Sequence, residues 1–135
     1  INRWTLFLLN RVLHLNIIYW PTWLVEALAG CDCAMIESNY DEEMLENGPY
    51  PYPLKRRILS ARGHLSNEAC ARELPALVRG GTTRIVLGHI SKENNMPSLA
   101  VATARAELEA CGMTENIDYL LQAAAPECDR PYMVF

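Results

Sequence analysis

The sequence predicts an α/β fold in which apolar strands alternate with capped helices around a layered core. Three observations carry this. TRIVLGHI (83–90) is an aliphatic, β-branched run that stops at a glycine and a polar cluster. NMPSLAVATARAELEACG (95–112) follows with helical periodicity, placing Val101, Ala104, Leu108 and Cys111 on one face. IDYLLQAAAP (117–126) is strand-like again, so residues 83–126 form a βαβ unit with a right-handed crossover.

Taken in order, INRWTLFLLNRVLHLNIIYW (1–20) is apolar, but Arg3, Arg11 and His14 interrupt it. It offers neither the ~18 uncharged residues of a membrane span nor a small-residue cleavage site. It reads as a divergent or foreign segment ahead of a domain over 21–135. TWLVEALAG (22–30) is a short helix started by Pro21 and Thr22 and stopped by Gly30. CDCAMIESN (31–39) runs apolar and ends polar, as a core strand does when it delivers residues to a sheet edge. DEEMLENG (41–48) is a helical turn whose acids suit the positive end of the helix dipole. PYPYP (49–53) holds three prolines in five residues and is expected to be extended rather than helical. LKRRILS is a short helix.

SNEACARELPALVRGG (66–81) is a longer helix, capped by Ser66, striped by Cys70, Leu74, Leu77 and Val78, kinked at Pro75 and ended by Gly80-Gly81. Asn95 is the expected cap of the 95–112 helix, with Pro97 tolerated in its first turn and Gly112 closing it. PYMVF (131–135) reads as a short last strand. Strands 33–38, 83–90 and 117–125 are expected at the centre of a mixed sheet.

With 135 residues, half of them hydrophobic and 21% charged, the chain suits one globular domain with a sizeable core. A net charge of −4 gives no global attraction to nucleic acid. Locally, LKRRILSAR (54–62) gathers Lys55, Arg56, Arg57 and Arg62, either as a solvated helix face or as a patch for backbone phosphates. The five cysteines, at 31, 33, 70, 111 and 128, form no CxxC pair. They read as reduced, mostly small core residues of a cytoplasmic protein.

The polar cluster GHISKENN (88–95) sits where a βαβ unit collects ligands, at a strand's carboxyl end and before a helix N-terminus. His89 there can ligate a metal through a neutral ring nitrogen or serve as a structural hydrogen-bonding residue. Ser91 and Asn94 can donate hydrogen bonds, and Lys92 can meet a phosphate. GHLSNE (63–68) repeats the pattern with His64, a serine and an asparagine. The two turns either converge on one pocket or cap two ordinary helices.

Together, ESNYDEEMLENGPYPYPLKRRIL (37–59), GHLSNE (63–68) and LGHISKENN (87–95) resemble, in this order and spacing, the C-terminal half of VicX/YycJ (WalJ)-type hydrolases of the metallo-β-lactamase fold. The resemblance covers about residues 22–126. It implies half of a four-layer αββα sandwich with a two-metal centre at the sheet edges, zinc or manganese as cofactor, and hydrolysis of phosphodiester bonds in a DNA exonuclease. It also implies that His89 is the late-strand metal ligand. His64, Ser91, Lys92, Asn94, Asn39 and Asp41 become residues that face substrate or support the ligands.

The sequence departs from that pattern. The H-x-H-x-D-H motif of the fold is absent, since the only histidines are His14, His64 and His89. Where a bridging aspartate is expected, the chain reads LNIIYWPTW (15–23), with Asn16 nearest. Asn39-Tyr40-Asp41 stands where many relatives carry Asn-His-Asp. The expectation is therefore a truncated hydrolase, inactive alone, holding metal weakly or not at all. Its expected partners are nucleic acid, no membrane, and a second copy met through an uncovered sheet. The alternatives are a non-catalytic α/β remnant that binds a partner and a small module whose polar turns hold a phosphate-bearing ligand.

Overall fold

A computed structural model describes residues 30–60 and 63–124, together with the backbone of 12–15. Four strands form one sheet: β1 (Val12–Leu15), β2 (Cys33–Glu37), β3 (Arg84–Gly88) and β4 (Leu120–Ala123). They lie in sequence order, and all three pairings are parallel. The mixed sheet expected from the sequence is thus corrected: the described sheet is parallel throughout. The physical reason lies in the connections. A parallel pair needs a crossover of a dozen or more residues, usually helical, and helical segments link β2 to β3 and β3 to β4. β2 and β3 are central as expected, whereas β4 pairs only with β3 among the described strands. The helix expected over 22–30 (save Gly30), the strand over 131–135, Asn16, Arg62 and Cys128 fall outside the described residues.

Four described helices accompany the sheet: α1 (Glu42–Asn47), α2 (Tyr52–Ile58), α3 (Asn67–Arg79) and α4 (Pro97–Ala110). None is long and apolar enough to cross a membrane. Asp41 caps α1 by accepting from the Met44 amide, and Ser66 caps α3 by accepting from the Ala69 amide, each satisfying a donor that a helix start leaves unpaired. α3 stops where Gly81 takes φ +103°, and the turn after α4 uses Gly112 at φ +80°, backbone that glycine adopts without penalty.

Two local expectations are corrected. α2 begins at Tyr52 and includes Pro53, because a first-turn proline lacks only an amide that would have no helical partner anyway. The residue before α4 is Met96, with no side-chain cap. Asn95 instead spends its amide on a buried network described below.

The main core lies between the sheet and the α3–α4 pair. Ile36, Ile85, Leu87 and Leu121 meet Leu74, Leu77, Ala104 and Leu108 there. Cys33 and Cys70 are buried thiols, and burial pushes Cys70 up to about 12, so neither has the thiolate character of a reactive cysteine. Cys111 is exposed.

Glu68, in the first turn of α3, is held above the usual carboxylate range, first by burial and then by the neighbouring charges of Glu42 and Asp41. A carboxyl raised in the folded state favours folding while protonated and loses that contribution as pH rises through its folded value. Glu68→Gln should therefore unfold at a higher temperature than the parent at neutral pH. The gap should shrink as pH falls through the carboxylate range. Thermal melts at a series of pH values test this, and a gap that widens on acidification would refute it.

Candidate metal centre

The site grows from one short segment, Glu37 to Asp41, at the carboxyl end of β2. Beyond the strand the chain stays extended and is paired on both sides. On one side the Asn39 amide donates to the Leu65 carbonyl and the Asn67 amide to the Tyr40 carbonyl, with a parallel bridge between Tyr40 and Ser66. On the other, the Ser38 amide donates to Gly88 and the Ser91 amide to Asn39. GHLSNE and GHISKENN, 25 residues apart in the chain (His64 to His89), thereby flank one strip of backbone. The two turns converge.

Their histidines meet on Glu37. Its Oε1 lies 2.7 Å from His64 Nδ1 and 2.5 Å from His89 Nδ1, and its Oε2 accepts from the Leu65 amide at 3.3 Å. The two rings stand edge to face with centroids 4.9 Å apart. The Glu37 side chain is 1% exposed, while the His64 and His89 side chains are 38% and 53% exposed. A carboxylate this buried is costly unless donors surround it. Three N–H groups do so here when both imidazoles carry their proton on Nδ1. That tautomer leaves Nε2 of each ring as a lone-pair donor. A carboxylate fixing the inner nitrogen while the outer one ligates is the usual support of a metal-binding histidine. Among the described residues, Glu37, His64 and His89 are the one group of side chains close enough to hold a metal ion together.

His89 carries φ +55°, a left-handed conformation uncommon outside glycine that costs of order 1–3 kcal/mol and persists only where surroundings enforce it. Asn39 enforces it by donating from Nδ2 to the His89 carbonyl at 2.6 Å. Asn39 thus ties the segment after β2 to the His89 backbone. Asp41 caps α1, and its amide donates to the Asn94 carbonyl. Ser91 Oγ accepts from the Glu93 and Asn94 amides and builds the turn. The Asn94 side chain is buried. Lys92 is exposed, and with His89, Ser91, Asn95 and Pro97 it lines a cavity of about 430 Å³ at the start of α4. The structure thus brings His64 and His89 together and places Lys92 and Ser91 in the cavity lined by His89. Asn39, Asp41 and Asn94 bond to the backbone around them or lie buried.

Sequence reasoning missed Glu37. The sequence signal was an acid at the end of the apolar run CAMIE; the structure pairs it in register with Gly88, next to His89.

A parallel α/β sheet carrying a buried carboxylate and two histidines at its carboxyl edge defines an α/β protein with a candidate metal centre. The chain is a relative of the YycJ-type proteins: it is 39% identical over 100 residues to "Exodeoxyribonuclease WalJ" from two strains of Streptococcus pneumoniae, covering 74% of this chain and 37% of theirs. It is 41% identical over 85 residues to "Exodeoxyribonuclease YycJ" of Bacillus anthracis, covering 63% of this chain and 32% of that one. The chain thus spans about a third of the length of these relatives. No family model matches it, and no solved structure does.

Proposed function

We propose that these residues form one side of a metal-dependent phosphodiesterase centre of the DNA exonuclease type, built on the metallo-β-lactamase fold. The observation that carries this is the pair of imidazoles held through Nδ1 on one buried carboxylate oxygen. Nitrogen and carboxylate donors suit zinc or manganese, and the residues fit such an ion. His89 would hold it through Nε2, with Glu37 orienting the ring. A divalent ion bound there supplies an electrophile for a phosphodiester oxygen and a water of lowered pKa.

The chain's own groups do the rest. Glu37 fixes the His64 tautomer, so that Nε2 can take or give a proton beside the reacting phosphate. Lys92 borders the cavity next to His89 near the start of α4, where a phosphate gains from its positive charge and from the helix dipole. Attraction to DNA is local, because the chain is net negative. Two histidines and a carboxylate are few donors for a two-metal centre, and no H-x-H-x-D-H occurs in these 135 residues. The chain alone therefore turns over little or no DNA.

The test is reconstitution. A segment bearing H-x-H-x-D-H from one of the longer relatives is supplied in trans, and metal content and exonuclease rate are compared for the parent and for His89→Ala. The substitution is expected to cost 10–100-fold or more (the range is that of lost supporting partners) with unfolding behaviour nearly unchanged. Unaltered metal content, or collapse of the fold, would make His89 a structural residue.

A further inference from the structure

Three side chains near the centre join the segments that carry the two histidines through hydrogen bonds that involve neither ring. Ser38 follows Glu37, Asn67 opens α3 three residues after His64, and Asn95 precedes α4 six residues after His89. All three are buried, at 1%, 1% and 4% exposed. Asn67 and Asn95 face each other as a reciprocal carboxamide pair. Asn67 Nδ2 donates to Asn95 Oδ1 at 2.9 Å, and Asn95 Nδ2 donates to Asn67 Oδ1 at 2.8 Å. Ser38 Oγ donates to Asn67 Oδ1 at 2.6 Å, Asn95 Nδ2 donates to the Ser38 carbonyl at 3.0 Å, and the Met96 amide donates to Asn95 Oδ1 at 2.8 Å.

We infer that the Asn67–Asn95 carboxamide pair is a positioning clasp that sets the His64 turn against the His89 turn across Glu37. The sheet ladder does not do this by itself. His64 stands on the loop between α2 and α3, outside any strand, and His89 lies one residue past β3 in a left-handed conformation. Backbone pairing brings each turn alongside residues 38–41 separately. Besides the histidines themselves, the amide pair is a direct side-chain hydrogen-bonded link from one segment to the other, in a buried setting where each bond is strong and each lost partner is costly. Apolar residues at 67 and 95 could fill the same space but would hold no fixed offset between the segments. That this serves hydrolysis rests on the function proposed above; that it orients the two rings does not.

The experiment records NMR spectra of the full chain without metal or DNA, reading the nuclear Overhauser cross-peak between the His64 and His89 rings and their Nδ1–H signals. The main variant is Asn67→Leu combined with Asn95→Leu, which removes both partners of the pair together. A second, Asn95→Asp, keeps the Met96 contact but cannot donate to Asn67 or to Ser38. Leu108→Ala, a core cavity outside the amide network, is the control for general loosening. The clasp predicts loss of the ring–ring cross-peak in both amide variants while unfolding stays cooperative, and its retention in the control. If the double variant does not fold, Asn95→Asp decides alone. A cross-peak that survives in the amide variants, or that disappears equally in the control, overturns the inference. Because the readout needs neither metal nor substrate, it stands or falls apart from the hydrolase reading.

Discussion

Glu37→Ala should lower divalent-metal affinity by 10–100-fold or more, the range seen when the group orienting a ligating histidine is removed. The reason is that one oxygen serves both rings. Without it, each half-exposed imidazole is free to rotate, to change tautomer and to bond water, so the proposed ligand His89 and its neighbour His64 lose their orientation in a single substitution. The Leu65 amide also loses its carboxylate partner, and an unsatisfied buried donor costs ~1–3 kcal/mol. Glu37→Gln should be only partly better. Its carbonyl oxygen can still accept, but its NH2 offers another donor where donors are already supplied. Calorimetric titration with zinc and with manganese, beside urea unfolding of the same samples, separates the two effects. Parent-like metal affinity in Glu37→Ala would remove the carboxylate from the centre.

The largest effect on stability should come from the core rather than the site. Leu74 is fully buried between α3, α4 and the sheet, in the cluster that holds Leu77, Ile85, Leu87 and Leu108. Leu74→Ala should destabilise by about 2–5 kcal/mol, the sum of lost transfer energy and a cavity the surroundings only partly fill. That is a large share of a small domain's typical ~5–15 kcal/mol. Equilibrium urea unfolding measures it. A loss below ~1 kcal/mol would mean that the site collapses on truncation and that the α3–α4 layer is less closely packed than its burial indicates.

Much of the fold was legible because its signals are local. Ser66 acts as a helix cap, a short helix follows Asp41, Gly112 closes α4, and the aliphatic runs at 33–37 and 84–88 are strands, since each follows from one side chain or one short period. Apart from the first-turn proline of α2, errors came where a neighbour distant in sequence decided. Asn95 has the right chemistry for a cap, but the facing carboxamide of Asn67 competes for it and wins in a buried setting. Sheet direction likewise depends on which strands become neighbours, and a short apolar run carries no mark of that.

The sequence by itself determined an α/β chain, two glycine–histidine turns before helix starts, and the family those turns resemble, for all of these rest on residue type at short spacing. Only the tertiary structure decided that both histidines meet and that Glu37 lies between them. A buried carboxylate is stable only where donors from separate segments converge on it. That convergence depends on the parallel pairing of β2 with β3 and of residues 38–41 with both turns, contacts made between residues 25 or more positions apart.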